Sequence, residues 1–473
     1  MGYTSNNINA LLCFAALRRT NSGAWMPTSL HPMPLPFSWA DQERHLVGHL
    51  SALIRLDTSN PPGNEITVAR HLSRELSRSG IAHKVLESEP GRANLIARLP
   101  GTGQEPPLML LGHADVVGAQ PGGWSRPPFS GEVADGRVWG RGALDMKGQV
   151  AASLLVMQLL AAHRIPLRRD VLLVVTADEE AGSRLGAYWL WENHRSLVEA
   201  EFAFNEGGGQ RFMTPGGPVY TVQVAEKGSA RMRVTARGPG GHASVPRSES
   251  AVFTLAEALL RLRAFAPESV LSPTARRMLS TLAELHPGAG AEAIERLTQE
   301  PTWARAHSLP IDPVLREFVV AGMHNTATPT VLSAGHRQNV VPVEASVVLD
   351  GRLLPGELPD GWAERVQKAV GDRVEVSLLH GRVSTGVHDD PELLRVLGDT
   401  LAAHEPGARV LPYINPAATD ARAFPDTKVV GFFPSASDAD IMRLIHAPDE
   451  HARITDLMFG GKCLLDAVLR LSA

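Results

Sequence analysis

Two adjacent glutamates, Glu179 and Glu180, follow the apolar run Val171 to Val175 in the segment Thr176-Ala177-Asp178-Glu179-Glu180. The run reads as a buried strand, so both carboxylates are delivered to its C-terminal end. Neighbouring carboxylates repel one another and lose hydration on burial, so such a pair calls for a cation or a proton to hold it. A metal site with a catalytic base is one solution, and a solvated acidic loop is the other. Three more polar clusters stand at the ends of apolar segments: His113 with Asp115, Asp145, and Glu206. Ligands of open α/β sheets gather outside the carboxyl ends of the strands, so these loops are expected to converge. One imidazole with several carboxylates suits zinc or a similar divalent ion. A carboxylate between two ions would let the site hold a pair about 3.5–4 Å apart.

The elements that must position these residues are legible as patterns. Amphipathic helices are expected at Asp41 to Leu56 and Glu65 to Ser79, then strands at Ala82 to Leu86, Asn94 to Leu99 and Pro107 to Leu111. Residues Gly148 to Ala162 are apolar nearly all round, as in a helix packed on a sheet, and too short to cross a bilayer. Strands at Val171 to Val175 and Glu201 to Asn205 complete an alternation of helices and apolar strands, the mark of a doubly wound sheet. From about Val219 the pattern changes to alternating strands, Tyr220 to Ala225 and Ala230 to Ala236, and a helix at Ser250 to Phe265. A Pro-punctuated helical stretch then runs to about Met323, before strands at Thr330 to Ala334, Ala345 to Leu349 and Arg373 to Leu378 with a helix at Trp362 to Ala369. This reads as an α+β unit inserted into the first domain. Helices at Pro391 to His404 and Thr455 to Leu471 bracket the return to the sheet.

At 473 residues the chain is expected to form two domains. Its 46 basic and 50 acidic side chains leave no basic surplus for nucleic acid. Cys13 and Cys463 make neither a disulfide framework nor a thiolate metal site, so His, Asp and Glu must hold any metal. Residues 8–17 form a short apolar run followed, not preceded, by Arg18 and Arg19, unlike a secretory signal or a membrane span. Pro27, Pro32, Pro34 and Pro36 mark an extended lead-in, with Met26 and Met33 as alternative starts. A cytoplasmic location is expected. The expected division is a lead-in over 1–40, a catalytic domain over 41–226 and 383–473, and an inserted unit over 227–382.

Six segments together resemble one family: Gly112-His113-Ala114-Asp115-Val116-Val117, residues 140–148 around Asp145, Asp178-Glu179-Glu180, Asn205-Glu206-Gly207-Gly208-Gly209, Gly240-Gly241-His242-Ala243-Ser244 and the late His446. In this order they are similar to the dinuclear zinc amidohydrolases that include aminoacylase, glutamate carboxypeptidase, acetylornithine deacetylase and succinyl-diaminopimelate desuccinylase, over residues 41 to 473. The resemblance implies an α/β fold with a mixed doubly wound catalytic sheet and an inserted lid and dimerisation domain. It implies two zinc ions, with cobalt or manganese as substitutes, held by His113, Asp145, Glu180, Glu206 and His446, with Asp145 bridging and a cis bond between Asp145 and Met146. Asp115 would accept the His113 ring N–H and fix its tautomer, and Glu179 would be the general base. His451 is the nearby rival to His446.

The resemblance further implies that His242 reaches a partner subunit's site to stabilise the oxyanion, and that Asn339 and Arg352 bind substrate, Arg352 gripping a free carboxylate. A surface turn histidine and a strand-end salt bridge are the plain alternatives. Gly228 would be a lid hinge or a turn glycine. The stretch from about Glu284 to Thr328 resembles the long-lid branch containing carboxypeptidase S and the N-acyl amino acid hydrolases. Asn325, Thr326, Thr419 and Asp420 would either line the site or serve structure. The implied activity is hydrolysis of an amide next to a carboxylate-bearing residue, in an N-acyl amino acid or a small peptide, by a homodimer. A ureido or allantoate-type amidohydrolase and a non-catalytic binding protein on the same fold are the alternatives.

Overall fold

The computed structural model describes residues 35–473 except 121, 246, 385, 439 and 440. The expectations for Cys13, the run 8–17, Met26 and Met33 lie outside the described residues. Three strands, Leu108–His113, Val171–Thr176 and Phe202–Asn205, are buried at every position. They are neighbours and run parallel, Val171–Thr176 beside Leu108–His113 and that beside Phe202–Asn205. Continuous apolar runs fit this placement, because a central parallel strand is covered on both faces.

Side chains alternate between the two faces of a strand, and the cores divide accordingly. Leu108, Leu110, Leu173 and Val175 enter one core with residues of helices Glu43–Ile54, Lys147–Ala162 and Ile454–Ser472. Met109, Leu111, Leu172 and Val174 enter another with Leu190 of helix Ala187–Val198. The large sheet is therefore wound on both sides. Its order is Ala82–Glu89, Arg92–Leu99, Val171–Thr176, Leu108–His113, Phe202–Asn205, Lys428–Gly431, Gly217–Glu226 and Arg409–Asn415, mixed in direction. No helix among the described residues is long and apolar enough to cross a membrane.

A second sheet of four antiparallel strands runs in the order Thr326–Ala334, Glu344–Leu353, Gly228–Arg237 and Val374–Arg382. Its apolar face packs on helices Ala251–Ala264 and Pro359–Val370 through Met232, Val234, Leu255, Leu349, Trp362 and Val366. Gly228 opens its strand, and a Cβ there would stand 2.5 Å from the Arg382 carbonyl oxygen and 2.8 Å from the Ser384 nitrogen. Close approach of neighbouring backbone is what requires glycine at this junction.

The Pro-punctuated helices between these strands sit elsewhere. Helix Pro273–Leu285 buries Ala275, Met278, Leu279, Leu282 and Leu285, a helical stripe. That stripe joins Phe318 and Val319 of helix Pro313–Met323 in a core with Leu411 and Tyr413 of strand Arg409–Asn415. Although this stretch falls within 227–382, its apolar face covers the edge strand of the large sheet. The physical reason is that Leu411 and Tyr413, with Val219 of the neighbouring strand, make an apolar patch on one face at the end of the sheet that would otherwise be open to water.

Candidate active site

Each loop arrives at the centre by a simple route. His113 is the last residue of its strand, Glu179 and Glu180 follow the strand Val171–Thr176, and Glu206 follows Phe202–Asn205. Three adjacent parallel strands thus release their polar residues at one end. Asp145 precedes helix Lys147–Ala162, and the bond from Asp145 to Met146 is cis. His446 lies in the turn before strand His451–Arg453.

Asp145 lies between two imidazoles. Its Oδ1 is 3.1 Å from His113 Nε2, and its Oδ2 is 3.1 Å from His446 Nε2. The same His113 nitrogen is 3.7 Å from Glu206 Oε1, and the His446 nitrogen is 3.4 Å from Glu180 Oε2. His113, Asp145 and Glu180 can offer ligand atoms to one cation, as can His113, Glu179 and Glu206. His451 lines the same cavity but pairs with strand Arg137–Trp139 and packs on the Trp139 ring, and it is in neither group of candidate ligands. Asn339, His242 and Arg352 are not among the residues lining the cavity above the carboxylates. His242 is exposed with Nδ1 2.7 Å from Ser244 Oγ, close to Asn339, whose carbonyl accepts from Ala243 N. Arg352 binds Asp350 at 2.7 Å, with Nη1 3.5 Å from the carbonyl oxygen of Pro416, a cavity residue.

Asp115 differs in detail from its expected contact. The His113 Nδ1 hydrogen bond goes to the Asp115 backbone oxygen at 3.0 Å, while the carboxylate stands 3.5 Å from that nitrogen. The carboxylate instead accepts the backbone N–H groups of Glu179 and Glu180, both at 3.1 Å, and Asn60 Nδ2 at 2.8 Å. Either way Nδ1 is a donor, so Nε2 is the nitrogen that faces the cluster, and on losing its proton it can offer a lone pair to a cation. Thr419 lines the cavity and caps a short helical turn, whereas Asp420 is buried and accepts from Thr176 Oγ1. Asn325 is structural: its Oδ1 caps Leu354 N and its Nδ2 donates to Glu357.

Two supporting groups were missed by sequence reasoning. Glu450 is fully buried and takes N–H groups from Gly142, Leu144 and Asp145 at 3.1, 2.8 and 3.3 Å, together with the guanidinium of Arg141 at 2.5 Å. Arg141 also donates to the backbone oxygen of His446 at 3.0 Å, so this ion pair ties the Asp145 loop to the His446 loop. Arg422 donates to Ser183 Oγ at 2.9 Å and approaches Glu179 Oε1 at 3.9 Å. The Asp449-Glu450 pair trailing His446 was the only sequence signal for the first.

Charge crowding and burial move the titrations of Glu206, Glu179, His446 and Asp145. Burial pushes Glu206 up to about 8, helped by the charge on Asp145. Burial and Glu206 push Glu179 well above the usual range. Hydrogen bonds to Asp145 and Glu180 raise His446 to about 10. Burial opposes ionisation of Asp145, but His113 and His446 outweigh it and hold its carboxyl low. The residues fit a dinuclear divalent centre: Glu180 Oε1 is buried without a hydrogen-bond partner, and two imidazoles face more carboxylates than they can neutralise.

Comparison with known proteins agrees with this geometry. The sequence profile of peptidase family M20/M25/M40 matches residues 109–470. The chain is 27% identical over 366 residues to a probable carboxypeptidase S-like 2 of Dictyostelium discoideum, covering 74% of this chain and 68% of the relative. It is 28% identical over 397 residues to human N-fatty-acyl-amino acid synthase/hydrolase PM20D1, covering 79% and 75%. An M20 family metallo-carboxypeptidase from Sulfolobus solfataricus shares the fold with a TM-score of 0.66 at 18% identity, over 90% of this chain and 98% of that one.

Because the ligand set is partly protonated without a cation, metal uptake must displace protons from Glu206 and His446. Affinity for added zinc is therefore expected to rise as pH climbs towards 8 and beyond, with proton release measured by calorimetry in buffers of different ionisation enthalpy. Glu450→Gln leaves Arg141 buried beside a neutral amide. Chelator competition is expected to show metal affinity lower by about 10–100-fold, with global stability followed separately by denaturation.

Proposed function

Since the chain belongs to peptidase family M20/M25/M40, a family of amide-bond hydrolases, we propose that it cleaves an amide next to a carboxylate-bearing residue, in an N-acyl amino acid or a small peptide with a free C-terminus. The observation that carries this reading is the Asp145 carboxylate, whose two oxygens face His113 and His446 while Glu179 stands in the same cavity. His113 and Glu206 would hold one zinc ion, Glu180 and His446 the other, and Asp145 would bridge them, with cobalt or manganese as substitutes. Bound divalent cations polarise a carbonyl and acidify water.

The chain's own groups do the rest. Glu179 takes the proton of the attacking water and returns it to the leaving nitrogen. Its raised affinity for protons, from burial and from Glu206, suits that return. Asp115 holds the backbone of Glu179 and Glu180 in place, and Arg422 lies on the far side of the Glu179 carboxylate. Arg352 grips the substrate carboxylate by releasing Asp350, and His242 and Asn339 complete the oxyanion and substrate contacts from a second copy of the chain. A homodimer is supported by the outer edge of the four-stranded sheet, where strand Thr326–Ala334 is unpaired on one side and Val331 and Leu332 are 59% and 66% exposed. Residues 227–382 would then act as lid and dimerisation unit, apart from the helices seated on the large sheet.

Two experiments test this reading. Glu179→Gln is expected to lower kcat on N-acyl amino acids or dipeptides by about 10²–10⁴-fold while bound metal, measured by elemental analysis, stays at the wild-type level; unchanged turnover would remove Glu179 from the mechanism. Val331→Lys is expected to convert a sedimenting dimer to a monomer of low activity, and a fully active monomer would exclude the cross-subunit role.

A further inference from the structure

The cavity above the carboxylates has two unlike walls. Asp145, Glu179, Glu180, Glu206 and His446 form one, and beyond them Phe318, Tyr413, Phe433, Leu444, Ile445 and Leu457 make the lining apolar. At about 510 Å³ the space far exceeds what an acetyl group or a single side chain fills. Phe318 comes from helix Pro313–Met323, part of the helical stretch that covers strand Arg409–Asn415. Its ring lies 4.9 Å from that of Tyr413 and meets Phe212 edge-on at 6.2 Å.

Phe318 therefore belongs to two environments at once. It lines the cavity, and it is a member of the core formed with Leu279, Leu282, Val319 and Leu411. The ring is the partition between them. Tyr413 is a fixed neighbour, because its hydroxyl donates to the backbone oxygen of Gly207, in the loop that carries Glu206. Shortening residue 318 opens the cavity towards an apolar interior, and enlarging it closes the cavity.

We propose that this apolar arm is the subsite for an aliphatic chain on the acyl side of the scissile amide, and that Phe318 sets the length of chain admitted. The assignment to the acyl side rests on the amide-hydrolase reading above. Arg352, the group for the substrate carboxylate, stands on the four-stranded sheet outside the lining, which leaves the arm for the other side of the amide. The occupant is a flexible saturated chain running along these apolar side chains, although Gln210, Thr221, Asn415 and Asp456 line the same cavity.

The test compares wild type, Phe318→Leu and Phe318→Trp on N-acyl amino acids graded from acetyl to hexadecanoyl. The matching free carboxylic acids are titrated by calorimetry, which reads the subsite without turnover. In the wild type, kcat/KM and affinity are expected to rise by up to about fourfold per methylene to a cut-off length. Phe318→Leu moves the cut-off to longer chains and Phe318→Trp to shorter ones, a reversal that general loss of packing does not produce. Equal losses for all chain lengths in both variants, or a wild type indifferent to chain length, overturn the proposal. Chain-length-dependent binding of the free acids with no amide hydrolysed leaves the subsite standing and overturns the hydrolase reading instead.

Discussion

The charge balance around Asp145 governs this molecule. Asp145, Glu179, Glu180 and Glu206 share one cavity, and the imidazoles of His113 and His446 meet the first of them from either side. Four carboxylates taken out of bulk water exceed what two imidazoles can offset, and Arg422 at 3.9 Å reaches only Glu179. The excess appears as a raised proton affinity of Glu206 and Glu179. A pair of divalent cations is the alternative counter-charge, and the same crowding that makes the cation-free site proton-hungry makes it a strong cation site.

Such a cluster persists only if its backbone cannot relax, and the fold uses one device twice to prevent that. Asp115 closes on the N–H groups of Glu179 and Glu180, and Glu450 closes on those of Gly142, Leu144 and Asp145. In both cases a buried carboxylate pins the backbone of a turn that carries carboxylates of the cavity. Each is balanced locally, Glu450 by Arg141 and Asp115 by His113 and Asn60. Asp178 extends the pattern, accepting Leu185 N and Arg92, which Glu65 also binds.

Much of this was legible because it follows from local pattern. Buried parallel strands are continuous apolar runs, so Leu108–His113, Val171–Thr176 and Phe202–Asn205 announced themselves, and each loop behind them carried a charged residue in sequence. The helix Lys147–Ala162 was equally plain from its apolar composition, and Pro391–His404 was read with the bounds it has. The seat of the helices between Pro273 and Met323 was not, because an amphipathic stripe shows that a helix is covered without showing by what. Here the partner is strand Arg409–Asn415, more than eighty residues further on, whose own apolar residues read as an ordinary strand. The roles of Glu450, Arg141 and Arg422 were hidden for the same reason: a carboxylate that binds backbone N–H groups has no side-chain spacing to betray it.

That displaced helical stretch changes what the site can select. Were these helices packed on the four-stranded sheet, they would travel with any motion of that sheet, and the cavity wall would form only on closure. Seated on the large sheet, Phe318 is fixed relative to Tyr413, Gly207 and hence Glu206. Arg352 and His242, the residues proposed for the substrate carboxylate and oxyanion, belong instead to the four-stranded sheet and a short two-stranded sheet, with Arg352 near Pro416 and His242 exposed. The cavity thus has a preformed apolar arm beside its carboxylates, while Arg352 and His242 stand outside its lining.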